Sequence, residues 1–497
     1  MASERPGVED PDLSFDRRRW IRGASWLTGG SAISMLMSAA SGVLVARLLG
    51  PFGFGVYAVV VVVVGLAATV ASFRLEIHLI TRLRAVSIDV ALIQEVVRAS
   101  WFMTLVVVST GTVIGVVLRP VAPLVVAVVA GEVLLSPLTL GRAVLQVQAR
   151  QRALVASALV GRTVWLALVV AVAATRSGSP LVLVLAARVL SLGCELVVVW
   201  RLAGVPVGPT LSPRLLSPRR HHATLRAATP LIVSGLAGTA FNRADQLILA
   251  GIRGPLETGL YAAGVRVAEL LGVVAPIVDN VTLPGLVELN RRGDEAGFVR
   301  AVRDTTLLMT VPTGLLVALL LSGGTELAVV VLGADYRAVG PLVGLLAMAE
   351  WVTVLGSVSS SAALARERRG VLVQAGLAGL AVNVLVNLAL IPRFGAIAAG
   401  WACIAGYGVA SFYAYTVPAL RAPLWGSAAA AARVLVAILV AWGVGLAPLP
   451  LPASLLAVTA VYAVALGCVL PADLRRVHRW AHQAMGRTSP LPLHRRG

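Results

Sequence analysis

The chain is a succession of apolar runs of about twenty residues, which recur from Ala24 to Pro471 with only short polar breaks between them. An α-helix needs roughly 20 apolar residues to cross about 30 Å of hydrocarbon, and it satisfies its own backbone hydrogen bonds in lipid. Hydrophobic residues make up 58% of the chain and charged residues only 13%, which is outside the usual globular balance. The sequence therefore predicts an all-α, polytopic integral membrane protein with about fourteen transmembrane helices.

The basic residues predict the orientation of these helices. The chain has 42 basic residues, all of them arginine and none lysine, and cytoplasmic loops carry an excess of such residues. If the N-terminus is cytoplasmic, only six arginines fall on the opposite side, and most of the others lie between helices on the cytoplasmic side. The six are Arg47, Arg119, Arg176, Arg253, Arg337 and Arg393. With an even number of helices, the C-terminus is cytoplasmic too, and the cell membrane is the predicted location.

The composition also excludes several kinds of chemistry. Without lysine there is no Walker A phosphate loop and no Schiff-base nucleophile. Cys194, Cys403 and Cys468 lie in apolar runs without metal-binding spacing. The predicted outer loops are too short to build a catalytic site. We therefore expect no catalytic residues, no metal and no cofactor, and the arginines between apolar runs do not indicate nucleic-acid binding.

The longest polar segment divides the chain into two parts. Residues 204–228 are rich in Pro and Arg, and we predict a solvated cytoplasmic linker there; the adjacent His221 and His222 could bind a metal, but no acidic residue or cysteine accompanies them. Residues 325–333 could form a short re-entrant helix, and the last two helices could be an addition to a twelve-helix core. The predicted organisation is a cytoplasmic tail 1–23, a six-helix bundle 24–203, the linker 204–228, a second six-helix bundle 229–420, two additional helices 421–471 and a cytoplasmic tail 472–497.

A short motif occurs once in each part. GPFGFGVYA (Gly50 to Ala58) joins the first two helices, and GPLETGLYA (Gly254 to Ala262) joins the seventh and eighth. A Gly-Pro turn and a tyrosine anchored at the membrane interface would explain either copy, but not the match between them. Parallel six-helix repeats are an architecture of secondary transporters, in which the binding site lies near the midplane between the repeats.

Three stretches of the chain resemble the polysaccharide transporter branch of the MOP superfamily, which includes Wzx-type flippases of O-antigen and exopolysaccharide. They are ARLLGPFGFGVYAVV (Ala46 to Val60), NRADQLILAGIRGPLETGLYAAGVRVAELLG (Asn242 to Gly272) and NVLVNLALIPRFGAIAAGWA (Asn383 to Ala402). The resemblance covers roughly residues 24–420 and implies alternating access between two pseudo-symmetric bundles. The implied substrate is an undecaprenyl-pyrophosphate-linked oligosaccharide that moves from the inner to the outer leaflet.

The resemblance leaves other functions open. A cation-coupled multidrug exporter and a lipid II flippase belong to the same superfamily, and a membrane glycosyltransferase is a third alternative. An arginine-rich interior argues against the exporter, whose cavity is expected to be acidic and lined by aromatic residues. The partners implied are the lipid-linked oligosaccharide, membrane lipids, and a glycan polymerase or glycosyltransferases.

Charged residues within the apolar runs are the candidate site residues, because a charge at the bilayer centre costs on the order of 3 kcal/mol. Arg243 and Arg266 are expected at equal depth, roughly 15 Å from the Gly254 turn at 1.5 Å per residue, and antiparallel neighbours at equal depth can face one cavity. Arg266 is expected to pair with Glu269 three residues later, or with Asp245 across the helix gap.

The first bundle contains further charges. Arg188 and Glu195 lie seven residues apart on one face of the sixth helix, and Arg162 lies in the fifth, while Glu132, Asp279 and Glu350 are isolated in their helices. Buried structural ion pairs are the alternative explanation for each of these charges. The family resemblance implies that cavity arginines hold the pyrophosphate, which a guanidinium binds well. The substrate-binding candidates are Arg243, Arg266, Arg47, Arg162 and Arg188, and those for coupling or charge pairing are Asp245, Glu269 and Glu195.

Overall fold

The protein is all-helical throughout the residues that the structure, a computed structural model, describes: 17–83, 89–118, 123–175, 179–205, 218–269 and 271–470. This confirms the predicted fold class. The α-helices are α1 (Arg17–Ser72), α2 (Leu75–Arg82), α3 (Val90–Leu118), α4 (Pro123–Leu134), α5 (Leu140–Val147), α6 (Gln151–Thr175), α7 (Pro180–Ala203), α8 (Pro218–Arg253), α9 (Pro255–Ala268), α10 (Val274–Arg291), α11 (Glu295–Leu332), α12 (Gly340–Ala365), α13 (Arg369–Phe394), α14 (Ala396–Phe412), α15 (Pro418–Gly445) and α16 (Leu451–Val469).

Eleven helical stretches in the described residues are long and apolar enough to cross a membrane. The first of them, Ile33–Arg82, is 50 residues long and is interrupted at Gly50, so it has the length of two crossings. Helices α8, α9 and α10 lie outside the eleven, and they contain the charges of the candidate site. The chain is a multi-pass membrane protein, and the number of fourteen crossings stays a prediction.

The two copies of the repeated motif adopt the same backbone conformation. Gly50 has φ 63° and ψ 174°, and Gly254 has φ 81° and ψ −175°. Residues with a side chain rarely adopt these positive φ angles, whereas glycine adopts them readily. The proline that follows each glycine begins the next helical segment, a position that its fixed φ suits. The motif therefore encodes the same helix reversal in both places, at what we name the turn end of the molecule.

These two reversals pack directly against each other. A Cβ atom on Gly55 would overlap the carbonyl oxygen of Pro255, and a Cβ atom on Gly259 would overlap the carbonyl oxygen of Pro51. Each contact is the counterpart of the other under the exchange of the two copies. The second crossing of α1 and helix α9 thus meet backbone to backbone, as small residues allow in membranes.

The predicted linker is shorter than 204–228. Helix α8 begins at Pro218, so residues 218–228 are its first turns, while 206–217 lie outside the described residues. His221 is buried and stacks on Phe102 of α3 at 5.4 Å between ring centroids. Thr224 donates a hydrogen bond of 2.6 Å to Glu95. Packing on α3 extends this helix beyond its apolar portion, which a search for apolar runs cannot detect; α1 likewise begins at Arg17, inside the predicted tail 1–23.

Residues 325–333 do not form a re-entrant helix. Helix α11 runs without interruption from Glu295 to Leu332 and ends at Gly333, whose φ is 109°. The glycines before Thr325 are sites of close helix packing. A Cβ atom on Gly324 would lie 2.8 Å from the carbonyl oxygen of Gly340.

Two other predicted helices are interrupted within the apolar region. A short 3-10 helix, Ser136–Thr139, separates α4 from α5, at a proline that lacks a backbone N–H. Another, Leu271–Val273, lies between α9 and α10. Irregular backbone at membrane depth is tolerated where it is buried in protein or lines a cavity. The second break is therefore a candidate location for a binding site.

The two C-terminal helices α15 and α16 pack on α11. Tyr462 of α16 donates a hydrogen bond of 2.6 Å to the carbonyl oxygen of Val311 in α11. Gly314 of α11 provides the space, because a Cβ atom there would lie 2.5 Å from the Tyr462 hydroxyl and 3.0 Å from Val434 of α15. These helices are thus attached to α11 by specific contacts in addition to apolar packing.

The glycine contact gives a first prediction. Gly259→Ala should lower the melting temperature, because the added methyl group overlaps Pro51 and overpacking costs about 1–3 kcal/mol. Gly65→Ala is the matched control, since nothing lies within 4 Å of a Cβ atom at that helical position and alanine is the better helix former by about 1 kcal/mol. Thermal unfolding of the purified variants measures both. Equal effects of the two substitutions would contradict the close packing.

Candidate functional site

A cavity of about 320 Å³ lies between α8, α9, α12 and α14. Its polar lining comes from all four helices. The lining residues are Thr239, Asn242, Arg243, Asp245, Gln246, Tyr261, Val265, Ala268, Glu269, Leu346, Ala349, Glu350, Cys403 and Tyr407. Three of the sequence candidates, Arg243, Asp245 and Glu269, are therefore brought into one place.

Glu269 joins two of the candidate arginines. Its Oε1 atom lies 3.2 Å from Nη2 of Arg243, and its Oε2 atom lies 2.9 Å from Nη1 of Arg266. We name these three residues the arginine–glutamate triad. The expected Arg266–Glu269 pair is present, and the contact with Arg243 adds a link from α9 to α8.

Arg266 also reaches the first part of the chain. Its Cδ atom lies 3.8 Å from the position that a Cβ atom on Gly42 of α1 would take. It is close enough to Arg162 of α6 for the two charges to interact electrostatically. The triad therefore lies where helices of the first and second parts of the chain face each other.

Asp245 lines the same cavity as Arg243 and Glu269, but its hydrogen bonds belong to a buried network outside the triad. Only 4% of Asp245 is exposed, and its carboxylate accepts hydrogen bonds from the Tyr261 hydroxyl, from the Gln246 N–H at 2.8 Å and from the Cys403 thiol at 3.4 Å. The alternative pairing of Arg266 with Asp245 is thus not what the structure contains. The reason is the two-residue spacing from Arg243, which turns Asp245 to another side of α8.

The network continues across α13 and α14. Asn387 donates to Asn383 at 3.0 Å, and Asn383 lies 3.9 Å from the Cys403 sulfur. Sequence reasoning missed these residues and Tyr261. Two asparagines four residues apart in an apolar helix were a usable signal, since they share one helix face. Cys403 carried no such signal, because it matches a small packing residue.

The carboxylates that the sequence left isolated have identifiable surroundings. Glu132 pairs with Arg188, and Asp279 accepts a hydrogen bond of 2.9 Å from Ser361. Glu350 lines the cavity and interacts electrostatically with Glu269 and Arg243. The cavity lining thus contains three carboxylates, those of Asp245, Glu269 and Glu350.

Arg188 and Glu195 do not pair, although they share a face of α7. Arg188 binds Glu132 of α4 through two nitrogens at 2.8 and 2.9 Å, and it also interacts with Tyr57 of α1. Glu195 binds Arg142 of α5 at 2.6 Å. Seven residues span about 10 Å along a helix, so partners on neighbouring helices are closer.

Arg162 lies near all of these charges without a short contact. It interacts electrostatically with Glu195, Arg188, Arg142 and Arg266, and it is exposed in the structure. Within the described residues it makes no hydrogen bond or close ion pair. Of the sequence candidates in the first bundle, its guanidinium is the one most available to an added anion.

Arg47 has a different environment from the triad. It donates hydrogen bonds to the carbonyl oxygens of Val331, at 2.8 Å, and Val330, in the last turn of α11. The neighbouring Ala46 carbonyl accepts a hydrogen bond of 2.8 Å from Tyr336. Carbonyl groups of a last helical turn lack intrahelical partners. Arg47 donates the missing hydrogen bonds and so joins α1 to α11 at the turn end.

The arrangement suits binding of an anion better than bond breaking. The guanidinium groups of the triad are held by one carboxylate at the edge of a cavity, and guanidinium donors match phosphate and carboxylate oxygens. In the described residues, no group of three His, Cys, Asp or Glu side chains is placed to hold a metal. What the site offers is a pair of guanidinium groups bridged by one carboxylate, beside a cavity whose lining also contains the carboxylates of Asp245 and Glu350.

The fold is similar to those of several solved membrane transporters. The lipid II flippase MurJ in its inward closed conformation has a TM-score of 0.70 at 12% identity, covering 90% of this chain and 99% of that chain. An inward-facing multidrug resistance MATE family transporter of the MOP superfamily has a TM-score of 0.59 at 15% identity, covering 80% of this chain and 95% of that chain. A MOP superfamily transporter from Pyrococcus furiosus has a TM-score of 0.51 at 16% identity, with 84% and 96% covered.

These similarities define a class of fold, which this chain shares with solved multi-pass membrane transporters. The family follows from the sequence match. Residues 20–290, more than half of the chain, match the model of the polysaccharide biosynthesis protein family, and the chain belongs to that family. No curated protein matches the chain by sequence.

The ion pair between Arg188 and Glu132 gives a second prediction. Removing one partner leaves the other as an unpaired charge in an apolar environment, which costs about 3–5 kcal/mol, whereas replacing both with apolar residues costs far less. Arg188→Leu and Glu132→Leu should each lower the melting temperature more than the double variant does. Thermal unfolding of the three variants measures this coupling. Additive losses in the double variant would show that the two charges are independent.

Proposed function

We propose that this protein moves an undecaprenyl-pyrophosphate-linked oligosaccharide from the cytoplasmic to the outer leaflet of the cell membrane by alternating access. The observation that carries the proposal is the arginine–glutamate triad, which lies beside a cavity of the second bundle and next to α1 of the first. Membership of the polysaccharide biosynthesis protein family and the flippase-like fold support it.

The substrate class follows from the charge and shape of the donors. A diphosphate presents several oxygens, and a guanidinium can bind two of them through parallel hydrogen bonds. Arg243 and Arg266 lie on adjacent helices and share one carboxylate, so one diphosphate can contact both. Arg162 would add a third positive charge from the opposite repeat. Arg188 is bound to Glu132, and Arg47 is bound to carbonyl groups. We propose that these two arginines support the substrate site indirectly.

The driving force can come from the membrane potential. With the cytoplasm negative, outward movement of each anionic charge gains roughly 2.3 kcal/mol per 100 mV. Asp245 is the candidate for proton or sodium coupling, since a buried carboxylate with hydroxyl, thiol and amide neighbours can bind a cation. Within the described residues it makes no close ion pair with Arg266, which favours coupling over neutralisation of that arginine.

A lipid II flippase is the second candidate, favoured by one observation. The fold similarity to MurJ extends over 99% of that chain, which is the share expected if the C-terminal helices α15 and α16 also correspond. Reconstitution with each lipid-linked glycan separates the two candidates. A multidrug exporter stays a further alternative, because the cavity lining contains three carboxylates and two tyrosines beside Arg243.

Orientation and partners complete the proposal. Both termini are placed in the cytoplasm on the basis of the arginine distribution, so the turn end faces outward. A glycan polymerase or glycosyltransferases that supply or consume the lipid-linked glycan are the proposed protein partners.

The proposed substrate site gives a third prediction. Arg243→Gln and Arg266→Gln should each reduce surface glycan by roughly tenfold or more, because each loses charge-assisted hydrogen bonds to the diphosphate. Surface glycan is measured in cells whose own copy is replaced by the variant, with membrane insertion checked by immunoblot. Arg393→Gln is the matched control, since Arg393 is exposed and at the far end of α13. Normal surface glycan in both variants would contradict the assignment of Arg243 and Arg266 to the substrate site.

The proposed orientation gives a fourth prediction. Arg337 and Arg368 are exposed residues that flank α12 at its two ends. Single cysteines at these positions should react with a membrane-impermeant maleimide differently in intact cells: Arg337→Cys is labelled and Arg368→Cys is not. Labelling of both after permeabilisation is the control for accessibility. The reverse labelling pattern would show that the topology is the opposite of the proposed one.

A further inference from the structure

We propose that Glu269 is an internal competitor for the substrate, which occupies the anion position between Arg243 and Arg266 and is displaced when a diphosphate binds. This inference rests on the proposed function. It assigns to Glu269 control over how tightly the substrate is held, which goes beyond charge pairing.

The geometry of the carboxylate supports this assignment. Its two oxygens bind different arginines, Oε1 to Arg243 at 3.2 Å and Oε2 to Arg266 at 2.9 Å. Each arginine uses one terminal nitrogen in this contact and keeps further N–H donors. A single anion that bridges guanidinium groups from α8 and α9 is also how a phosphate group would sit there, so the carboxylate and a phosphate compete for the same donors.

Exposure separates this contact from the structural ion pairs. The side chains of Arg243, Arg266 and Glu269 are 31%, 35% and 32% exposed. In the Arg188–Glu132 pair the arginine is 33% exposed, as in the triad, but the carboxylate is only 12% exposed, and both contacting nitrogens of the arginine bind that one carboxylate. The triad is therefore open to exchange with an incoming anion, whereas the Arg188–Glu132 pair is closed.

The position of Glu269 on the chain allows it to leave. It is the C-terminal cap of α9, and the regular α-helix does not resume until Val274. Glu350 faces the same cavity, so displaced Glu269 adds to the negative charge around a bound diphosphate. Exchange of one anion for another keeps affinity moderate, and transport requires a site that is favourable enough to enter and weak enough to leave.

The test is pyrophosphate binding by the purified full-length protein, measured by isothermal titration calorimetry. Glu269→Gln should bind pyrophosphate roughly tenfold or more tightly than the wild type, because no carboxylate competes for the arginines. Glu269→Asp, whose shorter side chain cannot bridge both arginines, should also bind more tightly. It serves as the second variant if Glu269→Gln does not fold.

The matched control is Glu350→Gln, which removes the same charge from the same cavity but makes no hydrogen bond or close ion pair to either arginine in the described residues. Its affinity should change much less. Equal tightening by Glu350→Gln would overturn the proposal, because a general charge effect would then suffice. Unchanged or weaker binding in both Glu269 variants would also overturn it, and Glu269 would then position the arginines.

Failure of the proposed function has a different signature. In that case Arg243→Gln and Arg266→Gln would bind pyrophosphate as the wild type does, whatever the Glu269 variants show. If instead both arginine variants lose binding while the Glu269 variants are unchanged, the diphosphate site is supported. The proposal that Glu269 competes with the substrate is then wrong. Transport measured alongside should be slower in Glu269→Gln, since tighter binding delays release.

Discussion

The structure depends on one close contact between backbones. Gly55 and Gly259 leave no room for a side chain, and they bring the second crossing of α1 against α9 at the turn end. Because α9 is held there, its other end carries Arg266 past Gly42 of α1, and the triad forms where the two repeats face each other. A contact between glycines in two turns thus sets the position of charges several helical turns away.

The buried charges fall into two groups with different physical characters. Arg188 with Glu132 and Arg142 with Glu195 join neighbouring helices of the first part of the chain through short contacts. In the triad, one partly exposed carboxylate serves two arginines. The first arrangement fixes helices in place, and the second leaves its carboxylate accessible to exchange. The arginines are similarly exposed in both groups, so the difference lies in the exposure of the carboxylate and in how the donors are shared.

Contacts within one helix were predictable from the sequence, and contacts between helices mostly were not. The Arg266–Glu269 spacing of three residues predicts a contact on any helix, and the repeated motif predicts matching turns. The partner of Arg188 could not be predicted, because it depends on α4 lying beside α7. The buried network of Asp245 likewise requires α8, α9 and α14 to meet. Apolar runs located the helices but not their polar extensions, such as residues 218–228 of α8.

The tyrosine of the repeated motif has different interaction partners in the two copies. Both Tyr57 and Tyr261 are buried, but Tyr57 interacts with the cation Arg188, whereas Tyr261 donates a hydrogen bond to the carboxylate of Asp245. A phenol hydroxyl both donates and accepts hydrogen bonds, so it is compatible with a neighbour of either sign. The same residue can therefore keep its place in both copies of the motif while its neighbour is basic in one copy and acidic in the other.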